Sequence, residues 1–172
     1  MKETLIDLKQ RRSCRKYTNQ RISEQELDII LEAGLYAASG MNKQASIMVA
    51  VTNQQLIAEL SAMNASIMGV DSDPFYGANC VVIVFADSTV RTYLEDGSLS
   101  LGNMMNAAHA IGVSSCWIHR AKQMFETERG KMLMKEWNID EKYVGIGNLI
   151  LGYADEELVD KPRRDGRIIK IK

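Results

Sequence analysis

Residues 80–86, with the sequence CVVIVFA, form the longest uninterrupted apolar run of this 172-residue chain. Their β-branched side chains favour a strand, and the absence of polar alternation indicates that both faces of that strand are covered. A second run, Val113–Ile118, has the same character. Together the two runs predict a central sheet with helices packed on both sides.

The segments around these runs alternate between helical and strand patterns. Ser23 followed by Glu26 forms a capping box and predicts a helix that ends near Ser39 and Gly40. No repeat, low-complexity tract or linker interrupts the chain, so we expect residues 1–172 to form one domain. The expected fold class is α+β, an α/β three-layer sandwich with a central sheet of about four to five strands flanked by helices. The other expected elements are strands Ile47–Val51 and Tyr143–Leu151, a helix capped by Asn53, and helices Leu94–Ile111 and Met124–Trp137.

The composition limits the class of protein. Hydrophobic residues make up 46% of the chain, with 12 Gly, 2 Pro and 3 Cys, which excludes collagen, a disordered tail and a disulfide scaffold. An odd, sparse set of cysteines is typical of free thiols in a reducing compartment. The longest apolar run is far shorter than the roughly 20 residues that cross a bilayer, and the amino terminus does not read as a signal peptide. We therefore expect a cytoplasmic protein with no membrane partner.

Charge is distributed unevenly along the chain although the net charge is only -1. Residues 1–21 carry a net charge of +5, residues 161–172 another +5, and the segment between them -11. Two basic ends repel each other unless an anion lies between them, so a phosphate held by both ends is one interpretation. Two solvated basic tails are the other, and charge alone does not choose between them.

Several chemistries lack their sequence signatures. Gly145-Ile-Gly147 misses the third glycine of a dinucleotide fingerprint and lies in a predicted strand, and no phosphate loop is present. Cys116 and His119 lack further ligands at metal-site spacing, so no metal site is expected. The chain has only two His and no nucleophile elbow, which disfavours a hydrolase triad. Because cofactors carry reactions that side chains cannot, a cofactor enzyme fits better, with no catalytic side chain.

The basic segment at residues 11–17, RRSCRKY, supplies a phosphate grip. In an extended stretch, Arg11, Ser13 and Arg15 point to one side, and guanidinium groups bind phosphate bidentately. The segment closely resembles the amino-terminal motif of the nitroreductase family of FMN-dependent NAD(P)H oxidoreductases. The resemblance covers essentially the whole chain, because further family-like segments follow in order: residues 38–44, Gly77–Asp87, Asp96–Gly112, Cys116–Ile118, Leu149–Tyr153 and Lys161–Arg163.

The resemblance implies a cofactor and a set of residues that hold it. FMN is the implied cofactor, its phosphate held from both basic ends of the chain. In the family, the loop after the second helix comes from the second subunit and borders the flavin, and backbone amides after the Cys-Trp strand approach the flavin edge. The implied cofactor-binding residues are Arg11, Arg12, Ser13, Arg15, Lys161 and Arg163 at the phosphate, Ser39, Gly40 and Asn42 in that loop, and Ile118 and His119 after the strand.

This arrangement requires a homodimer with the flavin at its interface. The predicted helix 94–111 carries small and soft residues, among them Gly102, Ala107, Ala108, Met104 and Met105, so a partner could approach it closely. A central core helix of a monomer is the alternative interpretation of the same residues.

The predicted function is ping-pong hydride transfer from NADH or NADPH through FMN to an electron-poor acceptor, such as a nitroaromatic or a quinone. A flavin-binding or flavin-storage protein with little turnover is the alternative from another class. A nucleic-acid-binding module is disfavoured because aromatic residues make up only 6% and the body of the chain is acidic. The physiological acceptor, the choice between NADH and NADPH, the oxygen sensitivity, and a specialised biosynthetic or dehalogenating role stay open.

Overall fold

A computed structural model describes residues 2–172 of the chain. Met1, part of the expected domain 1–172, lies outside the described residues. Helices occupy Glu3–Gln10 (α1), Glu24–Leu35 (α2), Gln54–Met68 (α3), Tyr93–Ala110 (α4), Ala121–Glu126 (α5) and Glu128–Glu136 (α6). Strands occupy Ser46–Val51 (β1), Cys80–Asp87 (β2), Ser114–Ile118 (β3) and Tyr143–Gly152 (β4).

The four strands form one antiparallel sheet in the order β1-β2-β4-β3. In the centre of the sheet Val82 lies opposite Leu149, and the register shifts between Val84 and Phe85. Strands β2 and β4 are the two central strands, and β2 is apolar from Cys80 to Ala86 before it ends at Asp87. The sheet therefore confirms the expected α+β class and lies at the lower end of the expected strand count.

Each face of the sheet has its own core. Val81, Ile83 and Phe85 of β2 pack on one face with residues of α3, α5 and α6. Alternate residues of the same strand, including Val82 and Val84, pack on the other face with α2 and α4. Because both faces are buried along residues 80–86, these positions do not alternate between apolar and polar side chains.

Two helix boundaries differ from the sequence expectation. The capping box at Ser23 is present, with Glu26 N–H donating to Ser23 Oγ at 3.2 Å, but α2 ends at Leu35 instead of near Ser39. The single helix expected over Met124–Trp137 is two helices, divided at Thr127. Thr127 is extended (φ -69°, ψ 159°), and its Oγ1 accepts the Gly130 N–H at 3.0 Å, so it caps α6 and ends α5.

The two ends of the chain meet at one edge of the sheet. Ser13 forms a parallel bridge with Ser115 of β3, and Tyr17 forms an antiparallel bridge with Ala154, just after β4. Thr18 N–H donates to the Tyr153 carbonyl at 2.8 Å, which continues this pairing. The basic amino-terminal segment is therefore aligned with the segment that leads into the basic carboxyl end. Among the described helices, none combines the length and apolarity required to cross a membrane.

Candidate functional site

A cavity of about 390 Å³ lies between the two ends of the chain, and we call it the anion cavity. Four cationic side chains contribute to it, two from the amino-terminal segment and two from the carboxyl-terminal segment. Residues almost 150 positions apart in sequence thus share one site. The lining residues are Arg12, Ser13, Arg15, Glu156, Glu157, Leu158, Val159, Lys161 and Arg163.

The acidic segment 155–160 fixes one wall of the anion cavity. Asp155 forms an ion pair with Lys16 at 2.8 Å, and Asp160 forms one with Arg12. The hydrogen bond from Arg12 holds the pKa of Asp160 below its ordinary value, and the hydrogen bond to Asp155 raises the pKa of Lys16. The Lys16–Asp155 pair is exposed to solvent, so it contributes little to stability and chiefly sets where the segment lies, whereas the Arg12 side chain is largely buried.

A carboxylate already contacts a backbone donor inside the cavity. Glu156 Oε1 accepts the N–H of Arg15 at 2.5 Å. That contact lies beside Ser13 and the Arg15 guanidinium, groups that suit a phosphate oxygen. An anionic ligand entering the cavity therefore meets both the cations and the negative charge of Glu156.

Two guanidinium groups retain unsatisfied nitrogen atoms. Arg12 donates to the Lys9 carbonyl at 2.5 Å and to the Arg11 carbonyl at 2.8 Å, yet its Nε is buried without a hydrogen-bond partner in residues 2–172. Arg11 Nη1 is likewise buried and unpartnered in that range, although Arg11 does not line the anion cavity. Buried donors of this kind are costly unless a ligand or partner accepts from them, so the donor set fits a phosphate-bearing cofactor.

The loop Ser39–Gln44 lies against the amino-terminal end of α4. Gly40 N–H donates to Asp96 Oδ1 at 3.0 Å, and a Cβ at Gly40 would lie 2.2 Å from Thr92 Oγ1. Gly40 is therefore the position at which the loop can touch the helix. Gln44 Nε2 donates to Asn42 Oδ1 at 3.1 Å, which orients the Asn42 amide.

The end of β3 is held by two buried asparagines from different elements. Asn64 of α3 donates to the His119 carbonyl at 2.8 Å, and Asn148 of β4 donates to the Ile118 and His119 carbonyls, both at 3.3 Å. The next residue, Arg120, has φ +76°, a left-handed conformation that non-glycine residues adopt at a cost. The backbone at 118–120 is thus fixed in an uncommon shape by side chains whose exposure is 0%.

The predicted site residues fall into three groups in one protomer. Arg12, Ser13, Arg15, Lys161 and Arg163 line the anion cavity, with Arg11 adjacent in sequence. Ser39, Gly40 and Asn42 lie together at α4, whereas Ile118 and His119 lie at the end of β3. The sequence analysis did not select Glu156, Asp96, Asn64 or Asn148. Asn148 could have been found as a polar residue within the apolar strand 143–152. Asp96 could have been found in the same way, as a charged residue in the helix of small residues.

The outer surface of α4 is open in the protomer. A Cβ at Gly102 would meet no atom within 4 Å, and Leu94 and Leu99 are exposed. Of the small and soft residues noted above, Met104 and Ala108 face the core instead. The helix thus serves the core with one face and leaves an apolar face uncovered.

Comparisons with known proteins agree with this geometry. A model of the nitroreductase family matches residues 8–78. A solved nitroreductase with bound FMN from Bacteroides fragilis superposes over 100% of both chains with 27% identity and a TM-score of 0.92. The chain is thus similar to the nitroreductase family, in sequence over residues 8–78 and in fold over its whole length. The resemblance drawn from residues 11–17 and the segments after them is therefore confirmed.

Two further relatives are similar to this chain. A nitroreductase with bound FMN from Desulfitobacterium hafniense is 27% identical, with 100% of both chains covered and a TM-score of 0.89. An FMN reductase [NAD(P)H] from Bacillus subtilis is 21% identical over 180 residues, which cover 95% of this chain and 70% of that protein. The nitroreductase-like fold class is confirmed by these superpositions.

Proposed function

We propose that the protein is an FMN-dependent NAD(P)H oxidoreductase that reduces a small, electron-poor acceptor such as a nitroaromatic or a quinone. The anion cavity is the observation that carries this proposal, because cations from both ends of the chain converge there on a space suited to one phosphate. Two relatives whose structures superpose on this chain have FMN bound, and a third is an FMN reductase [NAD(P)H]. These relatives support the proposed cofactor and electron donor.

In this proposal the chain's cations bind the FMN phosphate. Arg15, Lys161 and Arg163 supply charge, Ser13 supplies a neutral hydroxyl donor, and Arg12 supplies its unsatisfied Nε–H group, while Arg11, outside the lining of the cavity, adds positive charge beside it. Arg12 is also tied to Asp160, so it holds the cavity wall in addition to facing the ligand. FMN rather than FAD fits, because the sequence lacks a pyrophosphate or adenine motif.

The ring system is held by the other two groups of residues. Backbone N–H groups near Ile118 and His119 border one edge of the ring, fixed by the asparagines that grip the His119 carbonyl. The loop with Ser39, Gly40 and Asn42 comes from a second copy of the chain. The proposed unit is therefore a homodimer of single 1–172 domains with two equivalent sites. The exposed apolar face of α4 supports this assembly.

Bound FMN supplies the hydride chemistry, taking two electrons from NADH or NADPH and passing them to the acceptor in a later step. The chain's residues fix its position and provide positive charge and N–H donors where negative charge develops. No side chain is assigned as general acid or base, since protons can come from water. The three free cysteines of the described chain suit the cytoplasmic location included in this proposal.

The visible spectrum of the purified protein tests the proposal. We expect a yellow protein that releases FMN on denaturation and is bleached by NADH or NADPH without oxygen, then recovers its colour when a nitroaromatic or quinone is added. Bound flavin that neither nicotinamide reduces would favour the flavin-storage alternative. Failure of the protein to take up FMN would refute the proposal altogether.

A further inference from the structure

Asp96 is a buried carboxylate that the proposed function leaves unused. Its exposure is 3%, and it is the fourth residue of α4. Burial of an ionised carboxylate is unfavourable unless hydrogen bonds or charges compensate it. Across residues 2–172 no ion pair includes Asp96, and its hydrogen-bond donors are neutral, namely Gly40 N–H at 3.0 Å and Thr92 Oγ1–H at 3.3 Å. The amino-terminal turn of α4 adds a favourable dipole.

The loop that Asp96 holds is strained. Met41, Asn42 and Gln44 have φ values of 50°, 54° and 48°, so three non-glycine residues within four positions are left-handed. Such conformations persist only where surrounding contacts impose them, and they concentrate at functional sites. Within the loop, Gln44 N–H donates to Ser39 Oγ at 3.2 Å, and Lys43 N–H donates to the Gly40 carbonyl at 3.0 Å.

The contact between Asp96 and the loop is specific to a glycine. At Gly40 a Cβ would lie 2.2 Å from Thr92 Oγ1 and 3.1 Å from Thr92 Cβ, so the loop approaches α4 too closely for a side chain. The Gly40 N–H consequently reaches a carboxylate 56 residues further along the chain. Thr92 takes part in both contacts, because it blocks a side chain and donates to the same carboxylate.

We propose that Asp96 is a positioning residue that holds the loop Ser39–Gln44 in the shape with which Ser39, Gly40 and Asn42 contact FMN. This inference rests on the proposed function. Asp96 acts through the loop backbone: its Oδ1 fixes Gly40, and the strained residues that follow present the Asn42 amide outward. The carboxylate lies on α4, so this contact ties the loop to that helix.

The test uses two substitutions of the full-length protein. Asp96→Asn keeps an oxygen that can accept the Gly40 N–H, and the Thr92 hydroxyl can accept from the new amide, whereas Asp96→Leu removes the acceptor. Leu101→Ala is the control, because Leu101 is a fully buried residue of the same helix and its truncation lowers stability without removing a hydrogen bond to the loop. Amide exchange of Gly40, relative to the β2 amides, is measured without flavin, and FMN binding is measured by fluorescence quenching.

We expect Asp96→Leu to speed Gly40 exchange relative to β2 and to weaken FMN binding by about 10- to 100-fold. Asp96→Asn is expected to restore both to within about threefold of the unsubstituted protein. Leu101→Ala should lower the melting temperature and leave both readouts unchanged at a temperature where the variant is folded.

Each contrary result has its own meaning. Unchanged relative exchange of Gly40 in Asp96→Leu overturns the positioning contact. Faster exchange with wild-type FMN affinity overturns the role of the held loop in cofactor binding. If the unsubstituted protein binds no FMN, the proposed function fails together with this role, and the exchange measurement still decides whether Asp96 holds the loop.

Discussion

Glu156→Gln should tighten FMN binding, because it removes a negative charge from the wall of the anion cavity. Glu156 Oε1 accepts the Arg15 N–H at 2.5 Å, and glutamine keeps a carbonyl oxygen for that hydrogen bond. The substitution therefore preserves the shape of the wall while it removes the repulsion between a carboxylate and a phosphate dianion. Most substitutions in a binding site weaken binding, so a gain is a specific expectation.

The cavity dimensions set the size of the effect. A volume of about 390 Å³ corresponds to a sphere about 9 Å across, so a phosphate in the cavity lies between about 4.5 and 9 Å from a carboxylate on its wall, and we take a separation of about 7 Å. A unit charge and a dianion at that distance repel by about 1.2 kcal/mol in a water-like dielectric. Screening by salt at about 0.1 M reduces this repulsion to about 0.6 kcal/mol. The expected gain is thus about eightfold in FMN affinity at low salt and about threefold at moderate salt.

The assay is an FMN titration followed by fluorescence at two salt concentrations, repeated with riboflavin. Riboflavin lacks the phosphate, so its affinity should not change in Glu156→Gln. Glu141→Gln is the matched control variant, since Glu141 is exposed and precedes the opposite end of β4. Unchanged or weaker FMN binding at low salt, or an equal gain for riboflavin, would refute the assignment of this cavity to the phosphate.

Three further predictions concern the same architecture. Arg15→Glu should lower FMN affinity by several kcal/mol. In mixed dimers of one Arg15→Glu chain and one Asn42→Ala chain, one site should stay intact if two chains build each site. A flavin stoichiometry that reveals two sites with one substitution each would contradict shared sites. Gly102→Glu should leave the protomer folded, because the position is open, yet abolish dimer and flavin binding together; sedimentation of a flavin-loaded monomer would count against this. Ser23→Ala should cost about 1 kcal/mol of stability at neutral pH. The hydrogen bond from Ser23 lowers the pKa of Glu26 below 4.5, so this part of the free energy of unfolding is present above pH 4.5 and lost as pH falls through the folded-state pKa. Urea unfolding across that pH range should therefore show the free energies of unfolding of the unsubstituted protein and Ser23→Ala approaching each other in acid. A difference that stays constant with pH would disprove the link between Ser23 and the ionisation of Glu26.

Local sequence determined most of the elements and the family resemblance. The apolar run at residues 80–86 required burial on both faces, and the capping box at Ser23 required a helix start, because both signals depend on residues close in sequence. The basic segment 11–17 carried the family resemblance in the same way. The ends of helices were harder to predict from the sequence. Thr127 divides a continuous helical pattern because its side chain caps α6, and hydrophobic periodicity does not show where a side chain bonds to the backbone in this way.

Charge alone left the convergence of the two basic ends open and the family resemblance implied it, whereas its geometry is a tertiary property. Pairing of Ser13 with Ser115 and of Tyr17 with Ala154 aligns the two ends, and no local pattern encodes those partners. The same alignment brings Glu156 into the cavity, although the sequence analysis did not select this residue. The position of a carboxylate among cations depends on the fold, so the composition of the chain could not reveal it.

The sequence by itself determined that this chain forms a covered sheet, carries a basic segment at residues 11–17 and resembles the nitroreductases, because these follow from residue types at short spacings. Only the tertiary structure decided which polar residues hold the backbone of the candidate site. Asp96 with Gly40, and Asn64 and Asn148 with His119, are contacts across 29 to 56 residues. Their existence depends on how helices and strands pack, since a buried polar group takes whichever donor or acceptor the fold brings within reach.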